Sequence, residues 1–206
     1  LYNVLLNQKP VPEIILPTQV DNLSIIPSNL NLTGAEVELV GAIGRDFRLK
    51  TALGAVNDSY DLIFIDCPPS LNLLTVNALT ACNSTLIPIQ CEYYALEGLS
   101  QLMTTINLIR DHLNPDLAIE GILLTMADFR TNLTEEVINE AREYFKTKVY
   151  RTVIPRSIKL SESPGFGKPV VFYDKLSPGA QKYEELSQEF LESTTPQPQT
   201  NTTSTA

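Results

Sequence analysis

Residues 60–79, YDLIFIDCPPSLNLLTVNAL, drive four apolar side chains, Leu62, Ile63, Phe64 and Ile65, straight into one carboxylate, Asp66. Pro68 and Pro69 follow; having no N–H to give, they stop ladder pairing and force a turn. In open α/β sheets, ligands bind in the crevice beyond the C-terminal strand ends. An acid placed there suits a magnesium-linked carboxylate of the Walker B kind. Asp also serves as a helix cap or turn former at strand ends, and spacing alone leaves both readings open. Few other residues compete for chemistry. His112 is the only histidine, which excludes any mechanism needing a His pair; it reads as a favourable cation near a helix C-terminus after Arg110. Cys67, Cys82 and Cys91 form no C-x-x-C, so neither a disulfide framework nor a zinc site is indicated. Cys67 and Cys82 read as small core residues.

The elements that must position Asp66 can be laid out by periodicity. The run 62–65 is continuous, as expected of a parallel strand covered on both faces, which predicts a strand over 61–66. Ser70 is a candidate cap for the next helix, with an apolar stripe of Leu71, Leu74, Ala78 and Cys82. Short strands are expected at 14–16 and 23–26, and helices at 32–40 and 47–56, broken by Gly41 and Gly44. Further strands are expected at 84–90, 117–126 and 149–154. A long helix from about Glu97 carries Leu99, Leu102, Met103, Ile106 and Leu113 at helical spacing. Asn132, with Glu135 three residues on, is a candidate cap before Val137, Ile138, Ala141 and Phe145. Ser177-Pro178 opens a last helix through Tyr183, Leu186 and Phe190.

This alternation predicts an α/β fold, a mostly parallel sheet flanked by helices, in one domain over 1–192. Residues 193–206 are polar and low in complexity, which predicts a disordered tail. The loop G-x-x-x-x-G-K-[ST], expected before an acid-tipped strand, is absent. Either the chain is no nucleotide protein, or the βα portion carrying that loop lies outside it.

The composition is that of an ordinary globular protein, 43% hydrophobic and 19% charged. No apolar stretch approaches the roughly 18 residues of a membrane span, so a cytoplasmic protein with no membrane partner is expected. With 15 basic against 24 acidic residues, the net charge is −9. That argues against a wholly basic nucleic-acid-binding surface but leaves room for a local basic patch.

Taken together, these segments resemble the ParA/Soj family of deviant Walker-type ATPases, which partition plasmids and chromosomes. YDLIFIDCPPSLNLLTVNAL is similar to the family's Walker B strand and following helix. PIQCEYYALEGLSQL (88–102), GILLTMADFRTNL (121–133) and VYRTVIPRSIKLSESPGFGKPVVFYDKLSPGAQKYEEL (149–186) resemble its later signatures in the right order. The resemblance implies a P-loop NTPase-like fold, Mg-ATP as cofactor and slow hydrolysis. It also implies an ATP-dependent homodimer, non-specific DNA binding, a nucleoid-associated location, and a ParB-like protein that stimulates hydrolysis and release. Family members begin with K-G-G-x-G-K-T-T and a second acidic strand whose Asp positions the attacking water. Neither is found in these 206 residues, so the chain is expected to be incomplete at the N-terminus and inactive alone.

Carried over position by position, Asp66 would sit by magnesium and act through its water shell. Pro155, Arg156 and Ser157, in the loop after a strand, would lie against the adenine. Many relatives have Asn at Ser157, whose amide offers more polar groups than a hydroxyl. Met126, at a strand end, either helps line the base pocket or is a core methionine. Arg130 and Lys159 match positions that contact DNA; the second is often Arg in relatives, and Lys keeps the charge without the planar fork. Glu92, Tyr93, Tyr94 and Glu97 fall in a signature near the family's dimer face, where the tyrosines are alternatively packing residues. Two rivals remain: a non-catalytic fragment or interaction module, and a MinD-like positioning ATPase. The latter would end in a basic amphipathic helix, where this chain carries an uncharged Ser/Thr/Pro/Gln tail.

Overall fold

The computed structural model describes residues 1–93 and 95–194. Two compact units emerge, one formed by 1–85 and 99–119, the other by 86–98 and 120 onward.

The first unit is mainly helical. Helix α1 (Tyr2–Leu5) precedes a two-residue antiparallel pair, β1 (Leu16–Pro17) and β2 (Ser24–Ile25), in which Leu16 faces Ile25. Helices α2 (Leu32–Glu38), α3 (Arg48–Leu53) and α4 (Leu73–Ala81) follow. Leu5, Ala35, Leu39, Leu49 and Ala78 form one core, with Ile65, Leu73 and Leu74 packed on it. Val4, Val11 and Val56 form a second. Asn77, on α4 and 1% exposed, ties that helix to α3 and the turn before it: its amide donates to the carbonyls of Arg45 (2.9 Å) and, within α4, Leu73 (3.0 Å), and accepts the Leu49 N–H (3.1 Å).

The predicted strand over 61–66 does not form. Residues 62–68 carry no regular secondary structure, and Leu62, Ile63 and Phe64 are 46%, 39% and 74% exposed. A strand exists only where a neighbour takes up its N–H and C=O groups, and an apolar run says nothing about whether that neighbour is at hand. Two finer expectations also change. The cap of α4 is Asn72 rather than Ser70, whose carbonyl instead accepts the Thr75 hydroxyl at 2.5 Å. Leu71 and Cys67 are exposed, so neither is a core residue, whereas Ala78 is buried.

The sheet runs in the order β3-β4-β5, through β3 (Ser84–Gln90), β4 (Ala118–Ala127) and β5 (Val149–Pro155). Helix α5 (Ala95–His112) connects the first two strands and carries Arg110 in its last turn, placing a cation at its negative pole. β4 and β5 are parallel, as the alternation predicts. Helix α6 (Asn132–Phe145) joins them, with Thr131 rather than Asn132 at the N-cap position. Then come α7 (Ile158–Glu162), α8 (Val170–Tyr173) and α9 (Pro178–Thr194). Pro178 opens α9 and the Ser177 hydroxyl accepts the Ala180 N–H at 3.3 Å, the expected cap. α9 covers β5, where Leu123, Tyr150, Ile154 and Leu186 form the core. It runs through Thr194, two residues into the predicted tail; residues 195–206 lie outside the described residues.

Two register shifts shape the β4–β5 pair. Between Ile122↔Val149 and Leu124↔Val153, β5 holds two residues more than β4. Between Leu124↔Val153 and Ala127↔Pro155, β4 holds one residue more, and there Met126 adopts φ 55°. Such bulges bend a strand and re-aim the chain beyond it.

Candidate functional site

The second bulge sets the direction of the loop after β4. Thr125 is anchored to the neighbouring strand: its carbonyl accepts the Cys91 N–H at 2.9 Å and its hydroxyl donates to the Ile89 carbonyl at 3.1 Å. With Met126 left-handed, the chain leaves the sheet at Ala127, whose carbonyl takes the Arg156 N–H at 2.9 Å. The loops that follow β4 and β5 are thereby tied at their roots. Met126 is 36% exposed at this strand end.

Asp128 organises the loop. Its N–H donates to the Thr134 hydroxyl (3.2 Å), and its carbonyl accepts from the Thr131 N–H and hydroxyl (both 3.0 Å). Its carboxylate accepts the Arg130 N–H at 3.2 Å and a forked pair from the guanidinium, Nε to Oδ1 at 2.8 Å and Nη2 to Oδ2 at 2.6 Å. Those bonds from Arg130, side chain first, hold the Asp128 carboxyl down at about 2, with the Arg156 charge adding to the effect. Arg130 itself is 87% exposed.

From β5 the chain passes through Pro155 and Arg156 to Ser157, which precedes α7. Arg156 Nη2 meets Glu92 Oε1 at 3.2 Å. Ser157 makes no side-chain cap bond; its carbonyl accepts from Ser161. Lys159 pairs with Glu162 at 3.1 Å and lies 5.5 Å from the centre of the Tyr173 ring. The Tyr173 hydroxyl donates to the same Glu162 oxygen at 3.1 Å. The bond to Glu162 raises the Lys159 pKa, with the charges of Glu162 and Tyr173 behind it. Of the dimer-face signature, Glu92 and Tyr93 are exposed, while Tyr94 and the Glu97 side chain lie outside the described residues.

The second unit therefore gathers Met126, Arg130, Pro155, Arg156, Ser157 and Lys159 around the C-terminal ends of β4 and β5. Asp66 belongs to the first unit, where it is exposed on the irregular segment 62–68. Among the described residues no group of three His, Cys, Asp or Glu side chains gathers to hold a metal. A lone carboxylate does fit magnesium, which keeps several waters and takes one or two carboxylates plus substrate phosphates. Sequence reasoning missed Asp128, Glu162 and Tyr173. The signal for the first two was present: acids two and three residues from Arg130 and Lys159, the second at helical i,i+3 spacing.

Comparison with known proteins places this geometry in context. A family model described as an AAA domain matches residues 1–119. The chain is 57% identical over 189 residues to the sporulation initiation inhibitor protein Soj of Bacillus subtilis, covering 92% of this chain and 75% of that protein. It is 53% identical over 196 residues to the chromosome partitioning protein ParA of Myxococcus xanthus, covering 95% and 69%. Among solved structures, cobyrinic acid a,c-diamide synthase of Mycobacterium smegmatis with bound ATP analogue and magnesium superposes with a TM-score of 0.78 at 32% identity, over 91% of this chain and 69% of that one. Among the described residues no helix is long and apolar enough to cross a membrane.

Proposed function

The chain belongs to the ParA/Soj family of chromosome-partitioning ATPases, and on that premise we propose that it binds Mg-ATP, pairs with a second copy, and holds DNA without regard to sequence. A ParB-like partner then stimulates hydrolysis and release, which moves the partner's cargo. The observation that carries this reading is the cluster of cations at the C-terminal end of the sheet, exposed Arg130 and Arg156 with half-buried Lys159, in a chain of net charge −9. A monomer so acidic gains little long-range attraction to DNA. Two copies side by side would add their phosphate contacts while the acidic surfaces point elsewhere.

In this reading Asp66 holds magnesium through water, and Pro155, Arg156 and Ser157 lie against the adenine with Met126 beside them. Bound magnesium supplies neutralisation of the charge that builds on the transferred phosphoryl group. Arg130 and Lys159 contact DNA phosphates, which needs only positive charge in reach and no base-reading geometry. The phosphate-cradling loop is proposed to lie in a segment outside these 206 residues, so the chain as given binds ATP poorly. The 75% coverage of the Bacillus relative leaves room for such a segment. The exposed Leu62, Ile63 and Phe64 leave apolar surface for a neighbouring strand to cover.

The test is a salt titration of DNA binding by the full-length protein with a non-hydrolysable ATP analogue. Each phosphate neutralised contributes about −0.9 to the slope of log affinity against log salt, so Arg130→Ala in both subunits should flatten that slope by roughly one to two units. An unchanged slope would make Arg130 a bystander. No binding at any salt would remove DNA as a partner.

A further inference from the structure

We propose that Asp128 and Glu162 are built-in counter-ions that pair with the DNA-facing cations and compete with phosphate for them. DNA engagement is then an exchange of partners rather than capture by free charge. This deepens the DNA-binding reading above and rests on it.

Three observations carry the proposal. First, Arg130 is engaged through both arms of its guanidinium, at 2.8 and 2.6 Å, by an acid two residues earlier on the same loop. A carboxylate and a phosphate present the same paired oxygens to that fork, so one can replace the other without re-aiming the side chain. Second, Lys159 repeats the arrangement on helix α7, with Glu162 one turn on at 3.1 Å. Glu162 is itself steadied by the Tyr173 hydroxyl at 3.1 Å, and the Tyr173 ring, stacked on Phe166 with centroids 4.9 Å apart, lies beside the Lys159 ammonium. Third, Arg156, in the connection from β5 into α7, carries Glu92 at 3.2 Å. Each of the three cations at this end of the sheet thus has its own acid.

An exposed pair is weak, so giving one up holds back binding by only about two- to five-fold. The released carboxylate, left beside the incoming phosphate, opposes it further. One exchange therefore gains little, and only several made together hold DNA. Free monomers are kept off DNA, and a pair of subunits, with twice the exchanges on one duplex, is favoured. The counter-ions thereby sharpen the difference between the one-subunit and two-subunit states without any movement of the fold.

The experiment is a salt titration of binding to a random-sequence duplex by the full-length protein with a non-hydrolysable ATP analogue. It compares wild type, Asp128→Asn, Glu162→Gln and the double variant, with Asp128→Asn repeated in an Arg130→Ala background and Glu162→Gln in a Lys159→Ala background. Asn keeps an oxygen for the Arg130 N–H, and Gln keeps one for the Tyr173 hydroxyl; thermal melting checks that both fold. Each single variant is expected to tighten binding at low salt by about two- to five-fold, to steepen the salt slope, and to have a smaller effect once its own cation is gone. If Asp128→Asn fails to fold, Glu162→Gln decides by the same criteria. Wild-type binding with unchanged or weaker binding by the foldable variants would overturn the counter-ion role while leaving the DNA reading intact. An equal gain with the cation already removed would overturn it too, since the acid would then simply repel DNA. No binding by any variant at any salt would overturn both.

Discussion

Replacing Glu189 should loosen the strand that presents the Pro155–Arg156–Ser157 loop. β5 stands at the end of the β3-β4-β5 order, and its extra residues between Val149 and Val153 leave N–H groups that β4 cannot take. Glu189, on α9, takes them. One carboxylate oxygen accepts the Arg151 N–H at 2.7 Å; the other accepts the Thr152 N–H at 3.0 Å and hydroxyl at 2.8 Å. Its side chain is 14% exposed and Thr152 is 7% exposed, so water is a poor substitute. A buried donor left unpaired costs about 1–3 kcal/mol. The exposed Arg151 N–H can turn to water, but both Thr152 donors cannot, so Glu189→Ala should cost about 2–4 kcal/mol. Glu189→Gln keeps one oxygen and should cost about 1–2 kcal/mol.

Acid should expose the same contact. Burial alone would push the Glu189 carboxyl up, but the N–H groups of Arg151 and Thr152, the Thr152 hydroxyl and the Arg151 charge outweigh it, and the net shift is downward from 4.5. A carboxyl lowered on folding contributes fully above its unfolded value and loses that contribution as pH falls through the folded one. Urea unfolding at neutral pH and at a series of values below 4.5 reads both effects. Glu189→Gln should be less stable at neutral pH and lose less on acidification than wild type. Equal stability together with an identical acid limb would refute the reasoning.

Elsewhere, Asn77→Ala should cost about 2–4 kcal/mol, because it strands the buried Leu49 N–H and removes a bond to the Arg45 carbonyl and one within α4 to Leu73; chemical denaturation would show it, and a change under about half a kcal/mol would contradict it. At Gly121 an added Cβ would stand 2.4 Å from the buried Tyr150 ring and 3.2 Å from the Lys148 carbonyl. Gly121→Ala should therefore destabilise by about 1–3 kcal/mol through overpacking, and an unchanged midpoint would mean that the ring shifts freely.

Much of the second unit was legible because its strands and helices carry their own partners. Residues 84–90 and 149–154 read as strands because neighbouring strands and α9 cover them in the same chain, and Ser177-Pro178 marked a helix start that the backbone honours. Residues 61–66 read equally well as a strand and are not one, since apolar character states a need for cover without supplying it. Caps slipped by one or two residues at Asn72 and Thr131, where the point at which the chain enters the helix is decided by packing and not by the capping residue alone. At the candidate site the cations could be named from the resemblance and acids stood two and three residues away, but the geometry that pairs Arg130 with its acid could not be read. Arg130 meets Asp128 because a bulge at Met126 turns the loop, and no periodicity encodes a positive φ at a methionine.

The central claim, that Asp66 holds magnesium for ATP hydrolysis, is tested most directly by Asp66→Ala in the full-length protein. Magnesium-dependent hydrolysis and thermal melting should be measured side by side. Because Asp66 sits exposed on an irregular segment, its loss should leave the melting temperature nearly unchanged. Acting on the ion through water, it should lower hydrolysis by about 10- to 100-fold. Hydrolysis at the wild-type rate would contradict the account and leave Asp66 a turn residue.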